Sequence, residues 1–344
     1  MMKYLIITVS LIGVLVSCKQ PIENNSKTSQ KEVTEFAIVV HGGAGGITPE
    51  ILSEEKQKAY VAKLQEALNA GYKVLEMGGA SIEAVQSSIK VLEDSPLFNA
   101  GKGSVYNSEG NQEMDASIMD GNTLNSGAVA GINHVKNPIM AARMVLDSTS
   151  HVMLSGKGAE NIMETFGLEM VDSSYFFTEK RYNQLKQIKG KQKDKITFDT
   201  FLKDSKYGTV GAVAIDKNGN IASGTSTGGM SNKKYGRIGD SPIIGAGTYA
   251  NNLTCGISAT GTGEYFIRTV AAHEVSNLIQ YKKLSPNEAL HEVIYNQIGT
   301  LGGEGGMILI DKHGNVSWGF NTKGMFRGYK KSSGENIIEM FGLQ

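Results

Sequence analysis

Gly208-Thr209-Val210-Gly211-Ala212-Val213-Ala214-Ile215-Asp216-Lys217-Asn218-Gly219-Asn220, continued by Thr225-Ser226-Thr227-Gly228-Gly229-Met230, is the stretch on which the reading of this chain turns. A Lys-rich segment, 179–207, stops at Gly208-Thr209, and a strand–turn–strand pattern begins there. A threonine at the head of a buried strand, behind a glycine and a mobile arm, suits a residue that becomes a new N-terminus when the bond before it is cut. A threonine hydroxyl is a weak nucleophile and needs a base, and a free α-amino group on the same residue, with a reference pKa of about 7.7–8.0, can serve. Before the cut that nitrogen is an amide, so the uncut chain lacks the base. Gly208 has no side chain and tolerates the backbone geometry that attack on its carbonyl requires. The plainer reading is a β-branched residue that simply opens a strand.

Working outward, the 344 residues are 40% hydrophobic with 34 basic against 34 acidic side chains, the make-up of a globular enzyme-sized protein. The charge balance gives no reason to propose nucleic acid as a partner. Forty-two glycines against six prolines, without a Gly-X-Y period, indicate tight turns and close backbone approach to ligands. At the start, Lys3 precedes an apolar run over 4–16 that is short of the roughly 20 residues a spanning helix needs. Leu15-Val16-Ser17-Cys18 then resembles a bacterial lipoprotein signal, which makes 1–17 a leader, Cys18 the lipid-bearing residue and 18–35 a polar tether. With Cys18 so used, Cys255 has no disulfide partner.

The folded part opens with an apolar strand over 36–40 and the glycine-rich turn His41-Gly42-Gly43-Ala44-Gly45-Gly46, which can present N–H groups to an anion. Helical spacing follows over 49–76 and 81–93, with Gly78-Gly79 as the break. The loop Asp94-Ser95-Pro96-Leu97-Phe98-Asn99-Ala100-Gly101-Lys102-Gly103 is too apolar and glycine-rich for a plain connection. Strands over 113–119 and 127–132 and helices over 137–146 and 156–166 come next; such grouping argues for stacked layers with helices outside. Over 179–206 the pattern fails, and a mobile linker is expected. Beyond it, 212–221 is echoed by 307–316, each an apolar strand, an Asp-Lys-X-Gly-Asn turn and a second strand, which suggests neighbouring hairpins of one sheet. Helices are expected over 264–281 and 286–298.

Gly224-Thr225-Ser226-Thr227-Gly228 also satisfies G-x-S-x-G, and with His41-Gly42-Gly43, Asp240 and His273 or His291 it forms the rival reading of a serine esterase. That elbow needs a helix directly after the serine, whereas turn residues follow here. The six histidines contain no H-E-x-x-H, and no metal site is read from them.

Taken together, His41-Gly42-Gly43-Ala44-Gly45, Asn99-Ala100-Gly101-Lys102-Gly103, the run 115–121, Gly208-Thr209-Val210-Gly211, the run 225–229, Arg237-Ile238-Gly239-Asp240-Ser241-Pro242 and Thr260-Gly261-Thr262-Gly263-Glu264 carry a specific resemblance. From about residue 36 to 329 the chain resembles the plant-type asparaginase and isoaspartyl peptidase family, N-terminal-nucleophile hydrolases with a four-layer αββα fold. The resemblance implies one hydrolase domain cut into 36–208 and 209–344. Thr209 is the implied nucleophile, Thr227 its hydrogen-bond partner, and Thr260 with the Gly261 N–H the implied oxyanion hole. Arg237 is expected on a substrate α-carboxylate, Asp240 with the Gly263 carbonyl on its α-ammonium, and Asn99 on the free amine of Thr209. The implied reaction is hydrolysis of the β-amide of an L-aspartyl unit, in isoaspartyl dipeptides or L-asparagine, through a β-aspartyl ester.

No catalytic cofactor is implied, but a structural sodium is, held by the main chain around Leu92, Glu93, Ser95, Phe98, Ala100 and Lys102. Relatives assemble as dimers of α/β pairs. Aspartylglucosaminidases are the near alternative, although Gly208, Gly228, Thr262 and Glu264 fit the asparaginase branch better. A non-catalytic, ligand-binding lipoprotein is the alternative outside enzymes. The leader implies a membrane-anchored protein of the bacterial envelope with its domain periplasmic or surface-exposed.

Overall fold

Alternation along the central strands decides the layers. The computed structural model describes residues 35–191 and 208–342; the expected leader, Cys18 and the tether up to residue 34 lie outside them. In chain order the elements are β1 (Ala37–Gly45), α1 (Glu54–Glu76), α2 (Ser81–Glu93), β2 (Met114–Asp120), β3 (Ser126–Ile132), α3 (Pro138–Ser148), β4 (Met153–Ser155), α4 (Gly156–Thr165) and α5 (Glu179–Lys191). After Gly208 come β5 (Val210–Ile215), β6 (Ile221–Thr227), β7 (Thr248–Ala250), β8 (Cys255–Gly261), α6 (Gly263–Thr269), α7 (Ala271–Lys282), α8 (Pro286–His291), β9 (Gly305–Asp311), β10 (Val316–Phe320), β11 (Gly324–Lys331) and β12 (Asn336–Phe341). One sheet runs β12-β11-β1-β5-β6-β2-β3-β4 and the other β10-β9-β8-β7. Within the larger sheet only β3 and β4 pair in parallel.

Along β1, Ile38 and Val40 pack into the core shared with α1 and α2, while Ala37 and Val39 pack into the core shared with the second sheet. β5 repeats this, with Ala212 and Ala214 toward the helices and Val213 and Ile215 toward the second sheet. Residues two apart face the same way, so a strand covered on both sides must be apolar throughout. On the far side of the second sheet, Ile257, Met307 and Leu309 meet Val275, Leu290 and Ile294 of the C-terminal helices. The result is the expected four-layer αββα arrangement, helices outside and two sheets facing each other.

Several boundaries differ from the sequence reading, each for a local reason. The glycine-rich segment after the first strand is not a turn: β1 continues to Gly45, with a bulge between His41 and Gly43. The helix expected from 49 begins at Glu54, where the Ser53 hydroxyl accepts from the Lys56 N–H. The helix expected over 264–281 breaks at Val270, whose φ is +49°. The break lets the Gly245 and Ala246 carbonyls take the His273 and Ala272 amides. The second helix, expected over 286–298, changes to a π-helix over Glu292–Gly299.

The arm expected over 179–207 is helical over its first part, α5, and buries Arg181, Leu185 and Ile188; residues 192–207 lie outside the described residues. Its lysines hid that anchoring stripe. The two echoed hairpins, β5–β6 and β9–β10, lie in different, facing sheets rather than side by side in one. Their likeness is turn chemistry. Asp216 accepts the Asn218 and Asn220 amides as Asp311 accepts those of His313 and Asn315, and Gly219 and Gly314 have φ of +79° and +76°.

Helix α3 lies so close to β3 that a Cβ on Gly127 would stand 2.0 Å from the Ala142 carbonyl oxygen and 2.5 Å from the Leu146 nitrogen. Both obstacles are backbone and cannot rotate away. Gly127→Ala is expected to lower stability by about 3 kcal/mol, read as a lower urea midpoint at unchanged slope; an unaltered midpoint would show that the layer can spread.

Candidate active site

β5 and β6 run side by side, and by the two-residue period Thr209, just before β5, and Thr227, at the end of β6, face the second sheet together. Their hydroxyls are 3.0 Å apart. The Thr227 oxygen also accepts the Gly229 N–H at 3.0 Å, which fixes it at the end of its strand. Gly208, in front of Thr209, has φ +124°, and its carbonyl accepts the Asn99 N–H at 2.8 Å. A Cβ on Gly208 would stand 2.4 Å from the Asn99 nitrogen, and one on Gly43, φ +109°, 2.4 Å from the Gly208 nitrogen. Only glycines at 43 and 208 allow this approach.

Asn99 is held from three sides. Its side chain donates to the Gly229 carbonyl at 2.7 Å and accepts the Val105 N–H at 2.9 Å, while its carbonyl accepts the Gly228 N–H at 3.0 Å. Its contact with the segment before Thr209 is made by its main-chain N–H, on the Gly208 carbonyl. Beneath it, Phe98 stands edge-on to both Tyr60 and Phe326, which themselves stack at 4.1 Å. The loop is thus a packed platform.

Thr209, Thr227, Arg237, Asp240, Thr260 and Gly261 line one pocket together with Gly208 and Asn99. Thr260 and Gly261 end β8 and so approach from the second sheet. Arg237 makes a bidentate pair with Glu264, Nε and Nη2 each 2.9 Å from a carboxylate oxygen. Burial pulls the guanidinium pKa down, but Glu264, helped by Asp240 and Asp115, outweighs this and leaves it above its ordinary value. Asp240 is buried, and its Oδ2 has no hydrogen-bond partner among the described residues. Burial pushes its carboxyl up to about 7, against the pull of Arg237. Gly263 lies against it: a Cβ there would be 2.7 Å from Asp240 Oδ1. A buried carboxylate oxygen without a donor, beside a held guanidinium, suits a ligand that carries an ammonium next to a carboxylate.

The 306 residues from 34 to 339 match the family model described as asparaginase. The chain belongs to the asparaginase family, and it is a hydrolase. It is 46% identical over 299 residues to the isoaspartyl peptidase of Salmonella typhimurium, covering 86% of this chain and 96% of that one. Against the isoaspartyl peptidase of Escherichia coli the identity is 45% over 296 residues, 85% of this chain and 92% of that one. The plant-type L-asparaginase of Pyrococcus abyssi is 41% identical over 304 residues, 86% and 96% of the two chains.

The esterase reading fails on geometry. Ser226 lies within β6, not on a strand-to-helix elbow, and its hydroxyl points to the helix side, 2.6 Å from Glu93 Oε1. Glu93, on which Ile139 N–H also converges at 2.9 Å, is buried, and burial pushes its carboxyl up to about 8. Two features of this asparaginase-family site were missed in the sequence. Glu264 served only as part of a motif and as a marker of the asparaginase branch, and nothing in its spacing from Arg237 marks the pair. The hydroxyls of Ser223, Thr225 and Thr227 were legible as an i, i+2 stripe on β6, yet only Thr227 was given a role. His41, read as part of an anion-binding turn, is buried, its Nε2 2.9 Å from Ser258 Oγ, and burial holds the ring down at about 3. It is a neutral imidazole.

Among the described residues no three His, Cys, Asp or Glu side chains form a metal-holding group, and no helix is long and apolar enough to cross a membrane. For a hard monovalent cation the donors would be carbonyls. Those of Glu93, Pro96 and Phe98 crowd the places where Gly101 and Gly103 would carry Cβ atoms, and Glu93 Oε2 has no partner among the described residues.

Proposed function

We propose that this chain is a self-cleaving threonine amidohydrolase that acts on the β-amide of L-aspartyl units, in isoaspartyl dipeptides and L-asparagine. The observation that carries the reading is the Thr209 hydroxyl, paired to Thr227 and opening onto a pocket that also holds Arg237 and Asp240, whose Oδ2 has no hydrogen-bond partner among the described residues. The names of the relatives, isoaspartyl peptidase and plant-type L-asparaginase, agree with it.

In the maturation step Thr209 Oγ adds to the Gly208 carbonyl carbon. The C–N bond breaks, the nitrogen takes up a proton, and an ester joins Gly208 to the Thr209 oxygen. The Asn99 N–H already held by the Gly208 carbonyl oxygen would stabilise negative charge developing there. Water then hydrolyses the ester, leaving a carboxylate on Gly208 and a free amine on Thr209. For an external substrate, that amine accepts the hydroxyl proton as Oγ attacks the β-carbonyl carbon. Thr260 and the Gly261 N–H stabilise the oxyanion, and the leaving amine departs with the proton. Water on the β-aspartyl ester returns Thr209 and releases L-aspartate.

Arg237, held by Glu264, takes the substrate α-carboxylate, and Asp240 with the Gly263 carbonyl takes the α-ammonium, so the aspartyl unit is fixed at both α-groups. The carbonyl-rich loop around Leu92, Glu93, Ser95, Phe98, Ala100 and Lys102 suits a structural sodium; when bound it would brace the segment that carries Asn99. Dimers of the cut pair, a leader over 1–17, lipid on Cys18 and an envelope location belong to the same proposal, on the sequence signals given above.

Intact mass of protein lacking residues 1–18, beside Thr209→Ala, tests the maturation. Wild type is expected as two fragments with Thr209 as a new N-terminus and the variant as one chain; a wild type that stays whole sinks the mechanism. The second expectation concerns pH. The Asp240 carboxyl lies at about 7 in the free site, so its charge, and with it the grip on an ammonium, is lost as pH falls through that value. KM is expected to rise about tenfold per unit below about pH 7. The kcat profile lacks this limb because bound ammonium keeps Asp240 ionised. In Asp240→Asn, KM is high and flat, and a flat wild-type KM over the same range removes Asp240 from ammonium binding.

A further inference from the structure

The layer between the two sheets changes character along the strands. Away from the site it is apolar, with Val39, Val213, Ile221, Ile308 and Ile310 in contact. Toward the site the same faces of the same strands carry polar groups, buried and linked in a chain. His41 Nε2 on β1 is 2.9 Å from Ser258 Oγ on β8, which is 2.7 Å from Thr225 Oγ1 on β6. Thr225 is 2.6 Å from Thr248 Oγ1 on β7, Thr248 is 2.8 Å from Ser117 Oγ on β2, and Ser117 is 2.6 Å from the Ser241 carbonyl oxygen, next to Asp240. The chain therefore crosses from sheet to sheet and back. Room for it is built in: a Cβ on Gly211, two residues from Thr209, would stand 2.0 Å from Ser258 Oγ and 2.4 Å from His41 Nε2.

Counting protons gives the chain a direction. The Ser241 and Gly247 carbonyls can only accept, so Ser117 shares its one proton between Ser241 and Thr248, and Thr225 donates to Gly247 at 3.0 Å. With its own proton on the Gly247 carbonyl, Thr225 accepts from Thr248 and from Ser258, and Ser258, its proton spent on Thr225, accepts from His41. The contacts of Thr225 and Ser258 are then all satisfied only if the neutral His41 ring carries its proton on Nε2. Its Nδ1, without a partner of good hydrogen-bond geometry among the described residues, is then an acceptor, a smaller penalty than a buried orphan donor, while the Thr209 main chain beside the ring pulls its pKa up against burial.

We propose that this His41-to-Ser241 chain sets the lateral register of the two sheets at the active site, with Thr225, at its centre, as the positioning residue. Thr209 and Thr227 belong to one sheet, while Thr260 and Gly261 belong to the other. Apolar packing between sheets is non-directional and leaves lateral sliding weakly specified, whereas a row of short hydrogen bonds specifies it. The nucleophile-to-oxyanion-hole geometry tolerates little error, a misplacement of about 1 Å costing about a hundredfold in rate. The role rests on the threonine mechanism proposed above.

Thr225→Val keeps the shape and removes the hydroxyl, Thr225→Ser restores it, and Ile310→Ala loosens the apolar end of the same layer without touching the chain. With kcat referred to the cleaved fraction and a β-aspartyl dipeptide as substrate, Thr225→Val is expected to lose about 10- to 100-fold in kcat with a smaller change in KM. Thr225→Ser should stay within about threefold of wild type, and Ile310→Ala should lower the urea midpoint while leaving kcat near wild type. A valine variant no slower than Ile310→Ala, or a serine variant as slow as the valine one, overturns the proposal. Long-range proton–nitrogen NMR of imidazole-labelled wild type needs no variant and no turnover. It should show His41 protonated on Nε2, and protonation on Nδ1 breaks the chain and the proposal with it. A wild type that neither cuts itself nor hydrolyses the dipeptide would instead sink the threonine mechanism, and the tautomer would still decide the chain.

Discussion

Everything at this site depends on holding two sheets still relative to each other. The hydroxyls of Thr209 and Thr227 stand at the ends of β5 and β6, and Thr260 and Gly261 at the end of β8, so the pocket exists only where the two sheets face each other. Burial of valine and isoleucine between the sheets supplies cohesion, about 25 cal/mol for each Å² taken from water, but not direction. Direction comes from polar groups that the inter-sheet layer would ordinarily exclude, and each is kept only because it is hydrogen-bonded.

The same economy of space governs the glycines. At 43 and 208 the main chains approach until neither could bear a Cβ, and both have φ values that favour glycine. At 211 the missing side chain is the seat of the His41–Ser258 hydrogen bond. The sequence showed glycines in abundance and invited the reading of turns. Several of them in fact lie in or beside strands, where they let backbone, ring or hydroxyl come close.

What could be read in advance followed from period and from chemistry that is local. Apolar runs such as 36–40 and 212–215 marked strands covered on both faces, and Ser81–Glu93 was legible to the residue because its apolar spacing coincides with its ends. The residues that line the pocket were legible too, as motifs scattered along the chain. What failed was everything decided by partners distant in sequence. The echoed hairpins share a turn design, which says nothing of which sheet each one joins. α5 carries enough lysine to resemble a linker, and the seat of Arg181 against the Gly103 carbonyl, with Leu185 and Ile188 buried beside it, shows that it packs. Glu264 revealed itself only once Arg237 lay against it, and His41 passed for loop because a bulge, not a turn, carries β1 past it.

The strand order of the larger sheet has a consequence of another kind. Its strands alternate in origin: β12 and β11 come from the part of the chain after Thr209, β1 from the part before it, β5 and β6 from after, and β2, β3 and β4 from before. A chain opened at Gly208–Thr209 would thus become two polypeptides woven through one sheet, meeting along the β11–β1, β1–β5 and β6–β2 ladders. Neither half would own the larger sheet, although the smaller one, β10-β9-β8-β7, comes wholly from the part after Thr209, and parting them would mean unzipping three seams at once. Such a pair has no dissociated folded state to exchange from: it would behave as one cooperative body with an extra pair of ends, inseparable by dilution and renewable only by making the whole chain again.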